Sequence, residues 1–299
     1  MSESRCGFIA ILGAPNVGKS TLMNRLVGAK VSIVSPKVQT TRSRVLGICI
    51  EGNAQVIFID TPGIFAPKRR LDRAMVASAW GGASDADRIL LLVDSQRGID
   101  EDTRSIIENL QKQKQKDVFL GLNKVDLVQK DKLLKLAGEL SETGLFSETF
   151  MISAATGDGV EDLMVNLGDS VRPGPWLFPE DQISDMPMRL LAAEITREQL
   201  YLQLHQELPY AAAVETEAWE EKDDGSVSIK QVLYVERTSQ RAIVLGKGGR
   251  RIKALGAAAR KELEELLERR VHLFLFVKVR EKWGDDPERY RDWGLDYNA

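Results

Sequence analysis

The chain has 299 residues, 43% of them apolar and 28% charged, with a formal net charge of −3. That is about twice the ~150-residue domain norm at an ordinary globular balance, so two folded domains are expected and a largely disordered chain is excluded. Two cysteines (Cys6, Cys49) and two histidines (His205, His272) exclude a disulfide framework and a Cys- or His-rich metal centre.

The apolar runs at 89–93 and 271–277 are far below the ~18 residues of a membrane span. The first six residues lack the basic-then-apolar pattern of a secretory signal, so the chain reads as cytoplasmic.

In chain order, short apolar runs at 8–12, 45–50, 55–60, 88–94, 118–122 and 149–152 predict strands. Helical patterns at 19–27, 102–112, 130–143 and 160–167 alternate with them, which predicts an α/β domain on a mostly parallel sheet. Glu51-Gly52-Asn53-Ala54 between the second and third strands marks a hairpin inside that arrangement. Pro173, Pro175, Pro179 and Pro187 make 172–187 a linker, so domains are drawn at 1–171 and 188–299.

The second domain starts with a helix from Met188. A β-hairpin follows at 210–221 and 227–237 around Asp223-Asp224-Gly225-Ser226. A short strand at 242–245 runs into Gly246-Lys247-Gly248-Gly249. Ile252, Leu255, Ala259, Leu263 and Leu266 then define a helix, and 271–279 a last strand.

Four motifs stand at strand ends. Gly13-Ala14-Pro15-Asn16-Val17-Gly18-Lys19-Ser20-Thr21 follows the first strand and opens a helix, the G-x-x-x-x-G-K-S pattern that wraps backbone N–H groups around phosphate. Lys19 is expected at the β- and γ-phosphates and the Ser20 hydroxyl on Mg²⁺. Asp60-Thr61-Pro62-Gly63 ends the third strand, with Asp60 expected to hold the metal and the Gly63 N–H to sense γ-phosphate. Asn123-Lys124-Val125-Asp126 ends the fifth. The Asp126 carboxylate can accept from guanine N1–H and its amine, where adenine offers neither donor. Lys124 is expected along the base plane and Asn123 bracing the phosphate loop. Ser153-Ala154-Ala155 suits a backbone contact to guanine's carbonyl oxygen. Each piece alone is an ordinary turn; their order is what points to a guanine-nucleotide site.

The net charge hides a local stripe. Between Arg237 and Lys261 there is no Asp or Glu, while Arg241, Lys247, Gly248, Gly249, Arg250 and Lys253 crowd the Gly246 turn. Glycines that allow close backbone approach, with countercharge around them, form the G-x-x-G arrangement of KH domains, which clamp single-stranded RNA. Ile243, Val244 and Ile252 are expected to line the base groove.

These residues resemble the translation-factor-related P-loop GTPases, and within them the Era family. The match is carried by Gly13 through Thr21, Gln39-Thr40-Thr41-Arg42, Asp60 through Gly63, Leu204-His205-Gln206-Glu207-Leu208-Pro209 and the Gly246 turn. Val38 is a mild departure. The resemblance implies a Ras-like GTPase domain followed by an α+β type II KH domain.

It further implies Mg²⁺-dependent GTP hydrolysis and binding to the 3′ end of small-subunit (16S) ribosomal RNA. The implied role is in rRNA maturation and assembly of the pre-30S particle, with peripheral contact to the inner membrane; nothing in the sequence demands a dimer, so a monomer is expected. Of the switch I threonines, Thr41 is assigned to Mg²⁺, with Thr40 the alternative. Ile64 stands where Ras-type enzymes place a water-orienting glutamine. In related GTPases with an apolar residue there, an asparagine at the position of Asn16 helps hold K⁺; the alternative is that Asn16 only braces switch I.

Competing readings are an RNA-binding module with a structural nucleotide site, a membrane-acting GTPase and a nucleotide kinase. His205 and His272 read as packing residues, and the basic run 112–116 as a solvated helix end. Trp283 and Trp293 are expected to pin the tail to the KH surface, the alternative being that the tail covers the RNA groove.

Overall fold

Parallel strands buried on both faces read as continuous apolar runs, and the first compact unit is built on such strands. The computed structural model describes residues 3–37, 40–115, 117–204, 208 and 212–299, the side chain of Asp292 excepted. Val38, Gln39, His205 and the segments 205–207 and 209–211 therefore lie outside the described residues, as does Lys116 of the basic run.

The first unit comprises residues 1–32, 41–185 and 290–299. Its strands are β1 (Arg5–Leu12), β2 (Val45–Glu51), β3 (Ala54–Asp60), β4 (Arg88–Asp94), β5 (Val118–Asn123) and β6 (Phe146–Met151). They form one sheet in the order β2-β3-β1-β4-β5-β6, with β2 antiparallel and the rest parallel. The helices are α1 (Lys19–Val27), α2 (Arg70–Asp85), α3 (Glu101–Lys112), α4 (Lys130–Ser141) and α5 (Val160–Ser170). Ala10, Leu12, Leu91, Val93, Leu120 and Leu122 bury one sheet face against Ile106, Leu110 and Leu136. Ile9 and Ile11, of opposite parity, are equally buried, so both faces are covered.

Every predicted helix and strand of this domain is present, with shifts of a few residues at the ends; β6 starts three residues early, at Phe146. Helix α2 was not expected. Its buried stripe is Leu71, Ala74, Met75, Ala79 and Ala83, and alanines carry little hydrophobic signal.

The Pro-rich segment drawn as a linker is packed up to Asp185 and groups with this unit. Ile48 N–H donates to Ile183 O at 2.9 Å, and the buried Gln55 accepts from the N–H groups of Leu177 and Phe178. The segment thereby covers the exposed edge of β2, which would otherwise offer unpaired backbone groups.

The second unit comprises residues 33–40 and 186–289. Helix α6 (Met188–Gln203), strands β7 (Ala212–Glu221) and β8 (Val227–Val235), helices α7 (Thr238–Leu245) and α8 (Arg250–Leu267) and strand β9 (Val271–Val279) follow in αββααβ order. The sheet runs β7-β8-β9, antiparallel then parallel. Leu200, Leu204, Val214, Leu233, Val244 and Leu255 share a core, and burial of each such side chain contributes about 1.5–3 kcal/mol.

The strand predicted at 242–245 is the end of helix α7. β-branched Ile243 and Val244 suggested a strand, but Gln240 Oε1 closes the first helical turn by accepting from Glu236 and Arg237 N–H. Val244 is fully buried, and tertiary packing overrides propensity.

Helix α9 (Pro287–Asp292) contains the boundary between the units, so the sequence-drawn limits differ from the compact units here and around residues 33–40. Trp283 packs in the second unit under the Arg289 guanidinium, as expected. Trp293 groups with the first unit, with the Arg42 guanidinium 5.7 Å from its ring. No helix among the described residues is long and apolar enough to cross a membrane.

Candidate functional site

In an open α/β sheet, ligands bind beyond the carboxyl ends of strands where the strand order reverses. Here β1 lies between β3 and β4, and the Gly13–Thr21 loop leaves β1 at that point. Gly18, at φ +103°, caps α1, and a Cβ there would stand 2.3 Å from Asn123 Nδ2, so only glycine fits. Asn123 Nδ2 donates to Val17 O at 2.7 Å, tying the fifth strand's motif to the loop. Lys19 is buried, and its ammonium donates to Gly13 O and Ala14 O, both at 3.0 Å. Burial pushes its pKa down to about 8, against the opposing pull of the Asp60 carboxylate. Asn16 takes a left-handed φ of +64°, and Ala14, Pro15 and Val17 are buried around the turn.

Asp60 ends β3 fully buried, and its Oδ2 gathers three hydroxyls: Ser20 at 2.9 Å, Ser32 at 2.8 Å and Thr41 at 3.3 Å. Ser20 and Thr41 are themselves 2.9 Å apart. Thr40 turns elsewhere, donating to Lys37 O at 2.7 Å. Burial raises the Asp60 pKa, while Lys19 and the three hydroxyls oppose that rise.

Asp60 Oδ1 is buried without a hydrogen-bond partner among the described residues. An orphaned carboxylate oxygen beside two hydroxyls is a hard-oxygen donor set, so the residues fit Mg²⁺, which takes few protein ligands and fills its shell with phosphate and water. Clusters of three His, Cys, Asp or Glu are absent among the described residues. Thr61 Oγ1 donates to Ile11 O, and Pro62 is buried beside it. Gly63 lies close enough to the phosphate loop that a Cβ would meet Pro15 at 3.0 Å. Ile64 is buried in the apolar core, facing away from solvent.

The motifs that follow β5 and β6 lie at the same end of the sheet. Lys124 donates to Asn16 O at 2.8 Å and pairs with Asp94 at 2.6 Å. Asp126 is exposed, its carboxylate without a partner among the described residues. Ser153 N–H donates to Asp158 O and Ala154 N–H to Asn123 Oδ1, both at 2.9 Å.

Three participants were missed from sequence. Asp94 pairs with Lys124 because the β4–β5 register sets it opposite Asn123. Ser32 reaches Asp60, and Arg25 donates to Ala154 O and Ala155 O. The Asp closing an apolar strand was the one available signal; Ser32 and Arg25 offered none.

In the second unit, the glycine turn joins α7 to α8. Gly246 has φ +70°, and a Cβ would press on the Arg251 Cβ at 2.8 Å; Gly248 and Gly249 are also left-handed. Arg241, Lys247, Arg250 and Lys253 are exposed around the turn. Ile243 is half exposed and Ile252 partly buried, whereas Val244 is in the core and leaves the expected groove.

Two known families match separate parts of the chain. The family described as "50S ribosome-binding GTPase" matches residues 8–124, and the KH domain family matches residues 207–284. GTPase Era of Rhizobium meliloti (strain 1021) is 64% identical over 294 residues, 98% of this chain and 94% of that protein. Era of Brucella suis biovar 1 (strain 1330) is 62% identical over 296 residues, 99% and 95% of the two chains.

A crystal structure of Era with MgGDPNP and nucleotides 1506–1542 of 16S ribosomal RNA matches with a TM-score of 0.92 at 40% identity, over 97% of this chain and 99% of that one. An Aquifex aeolicus Era variant bound to GDP and AlF₄⁻ matches equally, with the same TM-score, identity and coverage. The phosphate loop, the hydroxyl–carboxylate cluster and the basic glycine turn thus sit in a chain that belongs to the Era family of GTPases.

Proposed function

We propose that the chain couples GTP hydrolysis in its first unit to binding of the 3′ end of 16S rRNA by its second, and so assists small-subunit assembly on the pre-30S particle. The observation that carries this is the presence in one chain of the Asp60 hydroxyl cluster and the Gly246–Gly249 turn, with Lys247 and Gly248 exposed at its tip. The rRNA assignment is supported by the similar Era that binds MgGDPNP together with 16S nucleotides. The chain acts as a cytoplasmic monomer, and its contact with the inner membrane is peripheral.

Hydrolysis forms a bond from a water oxygen to the γ-phosphorus and breaks the bond from that phosphorus to the β–γ bridging oxygen. The electron pair stays with GDP, and the proton lost by the water passes to an oxygen of the departing phosphate. Ser20, Thr41 and Asp60 hold Mg²⁺, which when bound neutralises charge developing on the phosphates. Lys19 supplies a second, buried positive charge, and Gly63 N–H holds a γ-phosphate oxygen. Ile64 cannot accept a proton or a hydrogen bond, so no side chain at that position orients the water. Catalysis rests on positioning and electrostatics, and intrinsic turnover is slow. Asn16 contributes to a K⁺ site that supplies further charge.

Asp126 and Lys124 read and cover the guanine. Arg241, Lys247, Arg250 and Lys253 engage RNA phosphates, with Gly246, Gly248 and Gly249 allowing close approach and Ile243 and Ile252 contacting bases. The test is GTP hydrolysis in potassium and in sodium, with and without a short RNA of the 16S 3′-terminal sequence. Stimulation by both K⁺ and RNA is expected. A rate indifferent to RNA separates the two units and overturns the coupled reading; a rate indifferent to K⁺ removes Asn16 from the catalytic account.

A further inference from the structure

Helix α1 carries a cation that touches neither the phosphate loop nor the Asp60 cluster. Arg25, in its last turn, donates from Nε to Ala154 O at 2.7 Å and from Nη2 to Ala155 O at 2.6 Å. Its hydrogen bonds go to these two carbonyls, and no carboxylate pairs with it among the described residues. The loop is shaped around the guanidinium: Gly157, at φ +100°, passes so close that a Cβ would stand 2.9 Å from Arg25 Nη1.

The geometry of a trans peptide gives this contact a consequence. Ala154 O and Ala155 N–H belong to one planar unit and point in opposite directions. Fixing the carbonyl on Arg25 therefore aims the Ala155 N–H to the other side of the loop. The N–H groups of Ser153 and Ala154 are committed to Asp158 O and Asn123 Oδ1. That of Ala155 has no partner among the described residues. A hydrogen bond accepted by a carbonyl also polarises its own N–H into a better donor.

We propose that Arg25 is a positioning residue for guanine recognition, holding the Ala154–Ala155 peptide so that the Ala155 N–H meets the 6-oxo group of the base. This rests on the guanine-reading loop of the proposed function and adds the group that orients it. Adenine presents an amine at that position, which cannot accept the bond.

The test uses the full-length chain and compares binding of GDP with 6-thio-GDP, whose sulfur is a poorer acceptor while N1–H and the 2-amine are kept. The unsubstituted chain is expected to prefer GDP. In Arg25→Ala that preference should shrink by about 3- to 10-fold, the worth of one hydrogen bond in a partly exposed site. Arg25→Lys, which keeps the charge and one donor, should fall between and serves if the alanine variant does not fold. Equal weakening of both nucleotides, or an unchanged preference in the folded variants, would make Arg25 a strut without a recognition role. Failure of the unsubstituted chain to prefer GDP over ADP would instead refute the guanine-reading loop itself.

Discussion

Asp94→Ala probes the least visible part of the nucleotide site. The Asp94 side chain is 3% exposed and that of Lys124 28%, with Oδ2 and Nζ 2.6 Å apart. At an effective dielectric of about 20, two unit charges at that distance attract by roughly 6 kcal/mol before desolvation. Lys124 regains water when its partner is lost, so the net loss falls to the range of a charge-assisted hydrogen bond, about 1.5–3 kcal/mol. Asp94 Oδ1 also accepts from Gln96 N–H at 2.9 Å, so the turn after β4 loosens as well.

Because Lys124 links to the phosphate loop through Asn16 O, the loss is felt in nucleotide binding. At 1.4 kcal/mol per tenfold, GDP should bind about 10- to 100-fold more weakly. Asp94→Asn, which keeps an acceptor oxygen, should lose less. Titration calorimetry with GDP measures this, and a melting curve shows that the variant is folded. A folded Asp94→Ala chain binding GDP within about twofold of the parent would refute the argument that the pair holds Lys124 in place.

Three further outcomes follow from the geometry. Lys19 has a pKa near 8 against an ordinary 10.5, so its buried charge destabilises the free chain in full below pH 8. Between those values the folded chain has shed a proton that the unfolded chain keeps, and stability from this group rises with pH. Phosphate restores the charge, so GDP binding at about pH 8.5 should take up a proton, read from calorimetry in two buffers and absent in Lys19→Met; no uptake would contradict the assignment.

Gly18→Ala forces a Cβ to 2.3 Å from Asn123 Nδ2 at φ +103°. Backbone strain plus the lost bond to Val17 O should cost roughly 2–5 kcal/mol, visible in both melting temperature and GDP affinity. Lys247→Ala should weaken RNA binding and reduce the slope of log affinity against log salt by about 1; an unchanged slope would remove Lys247 from the phosphate contacts.

The motifs were legible where chemistry demands contiguous residues. Gly13 through Ser20 run continuously from β1 into α1, and Asn123 through Asp126 form one continuous turn from the end of β5. The groups that hold them were not legible, because each acts across the fold. Asp94 meets Lys124 across 30 residues, Ser32 meets Asp60 across 28, and Arg25 meets Ala154 across 129. Only strand register and helix packing bring such pairs together.

The same limit explains α2, whose alanine-rich stripe is buried by shape more than by hydrophobicity, and the 242–245 segment, whose β-branched residues turn helical once Val244 enters the core. The tail expected to act as one piece divides within α9: Trp283 groups with the second unit beside Arg289, and Trp293 with the first beside Arg42.

The central claim is that nucleotide state and RNA binding are linked in one molecule, and linkage requires each ligand to change the other's affinity equally. The most direct measurement is the affinity of the full-length chain for a 16S 3′-terminal RNA oligonucleotide, once with Mg²⁺ and GDP and once with Mg²⁺ and a non-hydrolysable GTP analogue. A difference of at least about fivefold between the two states is expected, matched by an equal change, on adding RNA, in the preference for the GTP analogue over GDP. Equal RNA affinity in both states would leave a GTPase and a KH domain that share a chain and nothing else.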